Sequence, residues 1–268
     1  MHPISDYHIH TYLCGHADGK PEEYVQKAID LGLEEVGFSD HAPLVSHRDP
    51  TITMDFDELP IYQKMLEDVR EKFKEKIKVK IGIEADYIPG YEQKTKEILN
   101  SYPYDFVIGS VHFIKNWAFD NPREKKGWQE ANTDFIYRQY YECLRESAKS
   151  GMFDIMAHVD LVKKFGHRPT SDMADEIEKT AKVFKETGVV IEINTSGLRK
   201  PVEEIYPSLS ALSIYCKFGI PVTFGSDAHR ASEVGMDFDK ALYLVKAAGY
   251  QEYVLFEKRK ISKKLPLL

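Results

Sequence analysis

Histidines and carboxylates recur in this chain at one kind of position, the end of a short apolar run. His8 and His10 close SDYHIH, His16 follows in the next loop, His41 closes EEVGFSDH, His112 closes YDFVIGSVH and His158 closes FDIMAH. Glu84 closes KVKIGIE, and Asp227 with His229 closes PVTFGSDAH. Alternate residues of a strand face the same side, so His8-x-His10 and Asp227-x-His229 can each aim two ligands at one point. An isolated buried histidine is more often a core residue with satisfied hydrogen bonds. Nine ligand-type groups in equivalent places are too many for one ion and suit a cluster of two or three. Glu84 is the candidate bridge: a buried carboxylate needs a cation, and its two oxygens can reach two metals. The chemistry indicated is metal-dependent hydrolysis.

Elements that could hold such groups alternate regularly. Strand-type runs fall at 4–10, 35–39, 77–84, 105–111, 153–157, 189–194 and 221–225. Helical spacing fills 21–32, 57–75, 91–100, 133–150, 172–187, 207–218 and 232–248, with Gly32, Gly151, Gly188 and Gly219 as C-terminal punctuation. Seven βα units without a break in composition predict one parallel barrel domain over residues 1–268, with catalytic groups at the C-terminal mouth. The run YVLF at 253–256 is a further short strand or packs beneath the barrel. Two long loops, 43–57 and 113–132, are lids over the mouth or plain insertions.

Composition bounds the alternatives. The chain has 268 residues, 43% hydrophobic and 29% charged, and a net charge of −7, so no global basic field invites nucleic acid. Lysine pairs such as Lys125-Lys126 and Lys163-Lys164 read as solvated faces. A metal cluster can reverse the potential within a site, so an anionic substrate stays compatible with the acidic total. Three dispersed cysteines give no disulfide framework and suit a cytoplasmic location. Cys14, between His10 and His16, reads as a small buried thiol rather than a ligand. MHPISDYHIH lacks a signal-type apolar region, and no run approaches the roughly 20 apolar residues of a membrane span.

In order along the chain, His8-Ile9-His10-Thr11, Ser39-Asp40-His41, Gly82-Ile83-Glu84, Gly109-Ser110-Val111-His112, Ala157-His158-Val159-Asp160 and Gly225-Ser226-Asp227-Ala228-His229 resemble the motifs of the PHP (polymerase and histidinol phosphatase) superfamily. The length, GSVHF and INTSGLRK are most similar to its bacterial histidinol-phosphate phosphatases. The resemblance implies an α/β fold, a distorted (βα)7 TIM-like barrel, and a trinuclear centre of zinc, manganese or iron. The first metal would take His8, His10, Glu84 and Asp227. The second would share Glu84 and take His112 and His158, and the third would take His16, His41 and His229. The implied reaction is hydrolysis of L-histidinol phosphate to L-histidinol and phosphate, a step of histidine biosynthesis, by a metal-bridging hydroxide.

Asp40 and Asp160, beside His41 and His158, are expected to orient imidazoles or move a proton. Arg199, after the sixth strand, is the expected phosphate anchor, since its fork matches two oxygens. Lys163 and Arg230 are weaker candidates for the same task. The partner is then a small phosphorylated substrate, with neither nucleic acid nor membrane. Alternatives are a PHP phosphoesterase for another monoester or nucleotide, and a non-catalytic metal-binding regulator.

Overall fold

The computed structural model describes residues 4–267. Six parallel strands form its central sheet, in spatial order β1 (Glu35–Phe38), β2 (Lys78–Asp86), β3 (Phe106–Ser110), β6 (Ile155–Met156), β7 (Val190–Asn194) and β8 (Val222–Gly225). Between β3 and β6 lies a small antiparallel hairpin, β4 (Phe113–Ile114) and β5 (Trp117–Ala118). VIEIN and VTFG are buried at every position, including the polar Glu192, Asn194 and Thr223, as strands covered on both faces are.

The run at 4–10 takes the seventh place without becoming a laddered strand. It bridges β1 through Asp6↔Val36 and the segment just after β8 through Ile9↔Ala228, both parallel. Its pairing is sparse because a side chain intercepts ladder donors. The Asp6 carboxylate accepts from the backbone of Ser226 at 2.9 Å and of His8 at 3.3 Å. Amides satisfied by a carboxylate are withdrawn from the sheet ladder. The resulting barrel is curled and uneven, and β6 is reduced to two residues.

Helices α1 (Pro21–Leu31), α2 (Leu59–Phe73), α3 (Glu92–Leu99), α5 (Thr133–Lys149), α6 (Ala174–Thr187), α7 (Leu209–Phe218) and α8 (Phe238–Ala247) each follow one barrel strand or the 4–10 run. A short α4 (Gly127–Glu130) lies in the loop before α5. Gly32, Gly188 and Gly219 end α1, α6 and α7 in the left-handed conformation. None of these helices is long and apolar enough to cross a membrane.

The late run at 253–256 does both things its sequence allowed. It belongs to β9 (Glu252–Glu257), paired antiparallel with β10 (Lys260–Pro266), and it packs under the barrel. The Arg259 amide donates to the Asp105 carbonyl, and its guanidinium grips Asp154, both at N-terminal strand ends. Phe256 N–H donates to the Tyr7 hydroxyl. Buried apolar residues from Ile4 to Phe256 form one continuous core. A second, smaller cluster of Leu44, Ile88, Phe113 and Ala118 lies where the two long loops meet.

Candidate metal centre and active site

All nine predicted ligands converge at the C-terminal mouth. Glu84, buried at the end of β2, is where they meet. One oxygen lies 3.2 Å from His158 Nε2 and accepts from Ser110. The other lies 3.2 Å from His8 Nε2, 3.0 Å from His41 Nδ1 and 3.7 Å from His10 Nε2. Asp227 Oδ1 is 3.2 Å from His10 Nε2, and its other oxygen accepts from Ser196 Oγ at 2.9 Å. Ligand atoms of His8, His10 and Asp227 fall within 4.8 Å of one another, as do those of Glu84, His112 and His158. The expected third group is arranged differently. His41 clusters with His10 and His229, while His16 meets His229 beside Cys14. Cys14 is a buried thiol, as expected of it.

Imidazole orientation is set from behind. Nδ1 of His8 is bound to Glu192 at 2.6 Å, of His10 to Asp40 at 3.3 Å, and of His112 to Asp86 at 2.9 Å. Nδ1 of His16 is 2.9 Å from the Cys14 carbonyl, and that of His229 is 3.1 Å from the Asp227 carbonyl. Each such bond leaves Nε2 available to face the centre, the usual orienting device of ligand histidines. Carbonyl oxygens only accept, so His16 and His229 carry their protons on Nδ1. Their two Nε2 lone pairs then face each other at 2.9 Å. Such a contact is repulsive unless a cation lies between or beside the pair. The donor set therefore fits divalent metal: imidazole nitrogens and carboxylate oxygens, pre-oriented and crowded.

Electrostatics point the same way. Burial works against charge on His8, but Glu192, Glu84 and Asp227 together hold it well above the ordinary imidazole value. Burial likewise opposes His10 and His112. Asp227 and Asp40 nonetheless raise His10 to about 9, and Asp86 and Asp120 raise His112 to about 10. His16 falls to about 4 through burial and the proximity of His41 and His10. His229 falls through burial and the charge of His10. Burial would raise Glu84 and Asp227, yet the surrounding imidazoles hold both carboxyls far below the usual range.

The carboxylates behind the cluster differ in part from expectation. Asp40 is buried and accepts from Thr11 and from the His41 amide as well as from His10, so it orients His10 rather than its sequence neighbour. Asp160 orients no imidazole. Its backbone turns left-handed (φ 87°), and its carboxylate binds Lys163 at 3.0 Å, the Ser208 amide at 3.2 Å and the Tyr141 hydroxyl at 3.3 Å. Glu192 and Asp86 take that role and were not singled out in the sequence. Glu192 also accepts from the His158 amide at 2.7 Å and from Asn194 Nδ2 at 3.0 Å. A Cβ on Gly225 would lie 1.9 Å from a Glu192 oxygen, so only glycine admits this carboxylate beside β8.

A cavity of about 600 Å³ opens above the cluster. Both long loops contribute to its wall, through Thr51, Ile52 and Thr53 and through Asp120, Asn121, Pro122 and Arg123. Arg199 lines it. Nη2 donates to the Ser226 carbonyl at 2.6 Å, and the buried Nη1 has no partner among the described residues. Arg230 lines it from an exposed position, 3.5 Å from Asp18. Lys163 does not line it. That lysine is buried and occupied by Asp160, Glu204 and the Ile205 carbonyl, so its ammonium has no access to a ligand in the cavity. The neighbouring Lys164 reaches the wall instead, paired with Asp120 at 2.9 Å.

A model of the PHP domain matches residues 6–196, and one of the PHP-associated (PHP_C) segment matches 209–236. The chain belongs to the PHP family. A Deinococcus radiodurans protein named "Probable histidinol-phosphatase" is 38% identical over 98% of this chain and 100% of its own length. The Bacillus subtilis histidinol-phosphatase is 30% identical over 88% of this chain and 97% of its own. Among solved structures, histidinol phosphate phosphatase from Lactococcus lactis, complexed with zinc, L-histidinol and phosphate, superposes with a TM-score of 0.84. It is 25% identical and covers 97% of this chain and 99% of the other. The PHP match takes in the 4–10 run from Asp6 through β7, and thus seven of the nine ligand-type residues, while the PHP_C match takes in Asp227 and His229.

Proposed function

We propose that this PHP protein is a metal-dependent phosphomonoesterase that hydrolyses L-histidinol phosphate to L-histidinol and phosphate. The observation that carries the metal reading is the convergence of nine imidazole and carboxylate groups at one mouth, with the Nε2 atoms of His16 and His229 only 2.9 Å apart. The substrate reading is supported by full-length relatives named for this activity and by the lactococcal complex.

His8, His10 and Asp227 would hold one ion, and His112 and His158 a second, with Glu84 between them. A third would be held around His229, with His16 on one side and His41 on the other. Divalent metals there supply Lewis acidity, which makes water a better nucleophile at neutral pH and neutralises phosphoryl oxygens. The chain's own residues do the rest. Glu192, Asp40 and Asp86 fix ring orientation, so the ligand nitrogens are placed before substrate arrives. Arg199 offers its unpaired Nη1 to a phosphate oxygen, while Nη2 stays fixed on the Ser226 carbonyl. The loop residues over the cavity limit bulk water around the reacting phosphorus.

The test is phosphate release from histidinol phosphate against a panel of nucleoside monophosphates, with metal content measured on the same samples. Chelation should abolish release, and zinc, manganese or iron should restore it with about three metals per chain. Full turnover by metal-free protein would overturn the mechanism. Preference for a nucleotide would overturn the substrate.

A further inference from the structure

Twelve buried side-chain nitrogen and oxygen atoms among the described residues have no hydrogen-bond partner. Three of them belong to residues lining the cavity above the cluster: His158 Nδ1, Arg199 Nη1 and the Tyr206 hydroxyl. The imidazole belongs to the metal ligands and the guanidinium to the phosphate anchor. The phenol has no assigned task.

Tyr206 is held through its backbone, one ring face and one ring edge. Its backbone pairs with Asn194 in both directions, at 2.8 and 3.0 Å. The Lys163 ammonium stands 5.4 Å from its ring centroid, held there by Asp160 and Glu204. The ring edge lies against Gly197, where a Cβ would come within 2.9 Å of it. This ring is fully buried, yet its hydroxyl has no partner among the described residues. Burial, then the charges of Asp227, Asp160 and Asp120, push the phenol above its ordinary value, so it is a donor at any working pH. Asp227 and Asp120 line the same cavity. A buried donor left unsatisfied is costly, and a rigid one beside a ligand cavity is a preorganised contact for an incoming acceptor.

We propose that the Tyr206 hydroxyl donates a hydrogen bond to a phosphoryl oxygen of the bound monoester, alongside Arg199. The inference rests on the phosphatase reading above and gives that site a second, neutral donor. It also assigns Lys163 a positioning role, holding the Tyr206 ring rather than touching substrate.

Tyr206→Phe in the metal-loaded protein removes only the hydroxyl. We expect kcat/KM for histidinol phosphate to fall about 10- to 100-fold, the effect of one lost hydrogen bond to a charged group. Inorganic phosphate should protect the variant against thermal unfolding less than it protects the parent. Metal content should be unchanged, and the melting temperature without phosphate unchanged or higher, since an unsatisfied buried group has gone. Tyr215→Phe is the control, because that hydroxyl is also buried and unpartnered but lies outside the cavity wall. It should match the parent in kinetics, metal content and phosphate protection. Parent-like kinetics and phosphate protection in Tyr206→Phe would overturn the proposal. A lowered melting temperature or lost metal would overturn it too, by making the hydroxyl structural. If the parent does not hydrolyse histidinol phosphate, the function reading fails, and phosphate protection still decides the role of Tyr206.

Discussion

Replacing Glu192 by glutamine tests how far metal binding depends on groups that never touch a metal. The carboxylate serves three donors: His8 Nδ1 at 2.6 Å, the His158 amide at 2.7 Å and Asn194 Nδ2 at 3.0 Å. Glutamine keeps the shape but has one accepting oxygen. If that oxygen serves His8, the new NH2 group faces the His158 amide, donor against donor. If it serves His158, the NH2 group meets His8 Nδ1 and drives the ring toward the wrong tautomer. Either arrangement strands a buried donor, at about 1–3 kcal/mol, and removes a charge-assisted bond. Taking about 2 kcal/mol gives roughly a 30-fold loss of metal affinity, inside the 10- to 100-fold range for partners behind a ligand. Competition against a chromophoric chelator measures it, with circular dichroism confirming the fold. Gly225→Ala should act through the same carboxylate, which its Cβ would displace, so the two changes should be less than additive when combined. A folded Glu192→Gln protein with parental metal affinity would refute the reasoning.

Three further outcomes follow from the same geometry. Glu84→Gln should lower turnover at least roughly a hundredfold, because one oxygen can no longer serve both groups of imidazoles. A near-normal rate would remove it as the bridge. Arg199→Ala should leave metal content intact and cost about 2–3 kcal/mol, or roughly 30- to 150-fold in kcat/KM, with Arg199→Lys recovering only part. Loss of metal in the alanine variant would make Arg199 structural. In metal-free protein at pH 7, His8, His10 and His112 hold protons because their folded values are raised, the last two to about 9 and 10. Metal must displace those protons, so uptake should release protons and affinity should climb as pH rises from 7 toward 10. Calorimetry in two buffers of different ionisation heat reads the release, and no release would contradict the assignment.

The candidate ligands were legible because their placement is a rule of strand geometry: an inward residue at the end of an apolar run shows in the sequence whatever the surrounding fold does. The supports were harder to see. Glu192 sits inside VVIEIN, where it reads as one polar residue of a strand. The signal was its charge within a run otherwise buried on both faces, which demands a partner. Asp86, two residues beyond Glu84, shares its face by the same i,i+2 rule that exposed His8 and His10. Proximity in sequence misled at Asp160, whose left-handed backbone turns its carboxylate away from its neighbour's imidazole and toward Lys163. Lys163 and Lys164 look alike in sequence, and only packing sends one into the interior and the other to the cavity. The 4–10 run kept its place in the barrel but gave up two ladder amides, of His8 and Ser226, to Asp6, a competition between side chain and backbone that hydrophobic pattern does not report.

That sparse seam has a consequence for how the protein is made. The run carrying His8 and His10 finds its partners at Phe224 and Ala228, and the hairpin that braces Tyr7 from below comes later still. Joining segments about 220 residues apart carries a loop-closure cost that nearer neighbours do not meet. At roughly 5–20 residues per second, the first two histidines leave the ribosome many seconds before Asp227 exists. Through that interval they are an HxH pair without a cage, open to any passing metal. Those two histidines can meet Asp227 only once β8 closes against residues 4–10, so the candidate centre is completed by a contact between the two ends of the barrel rather than within one βα unit.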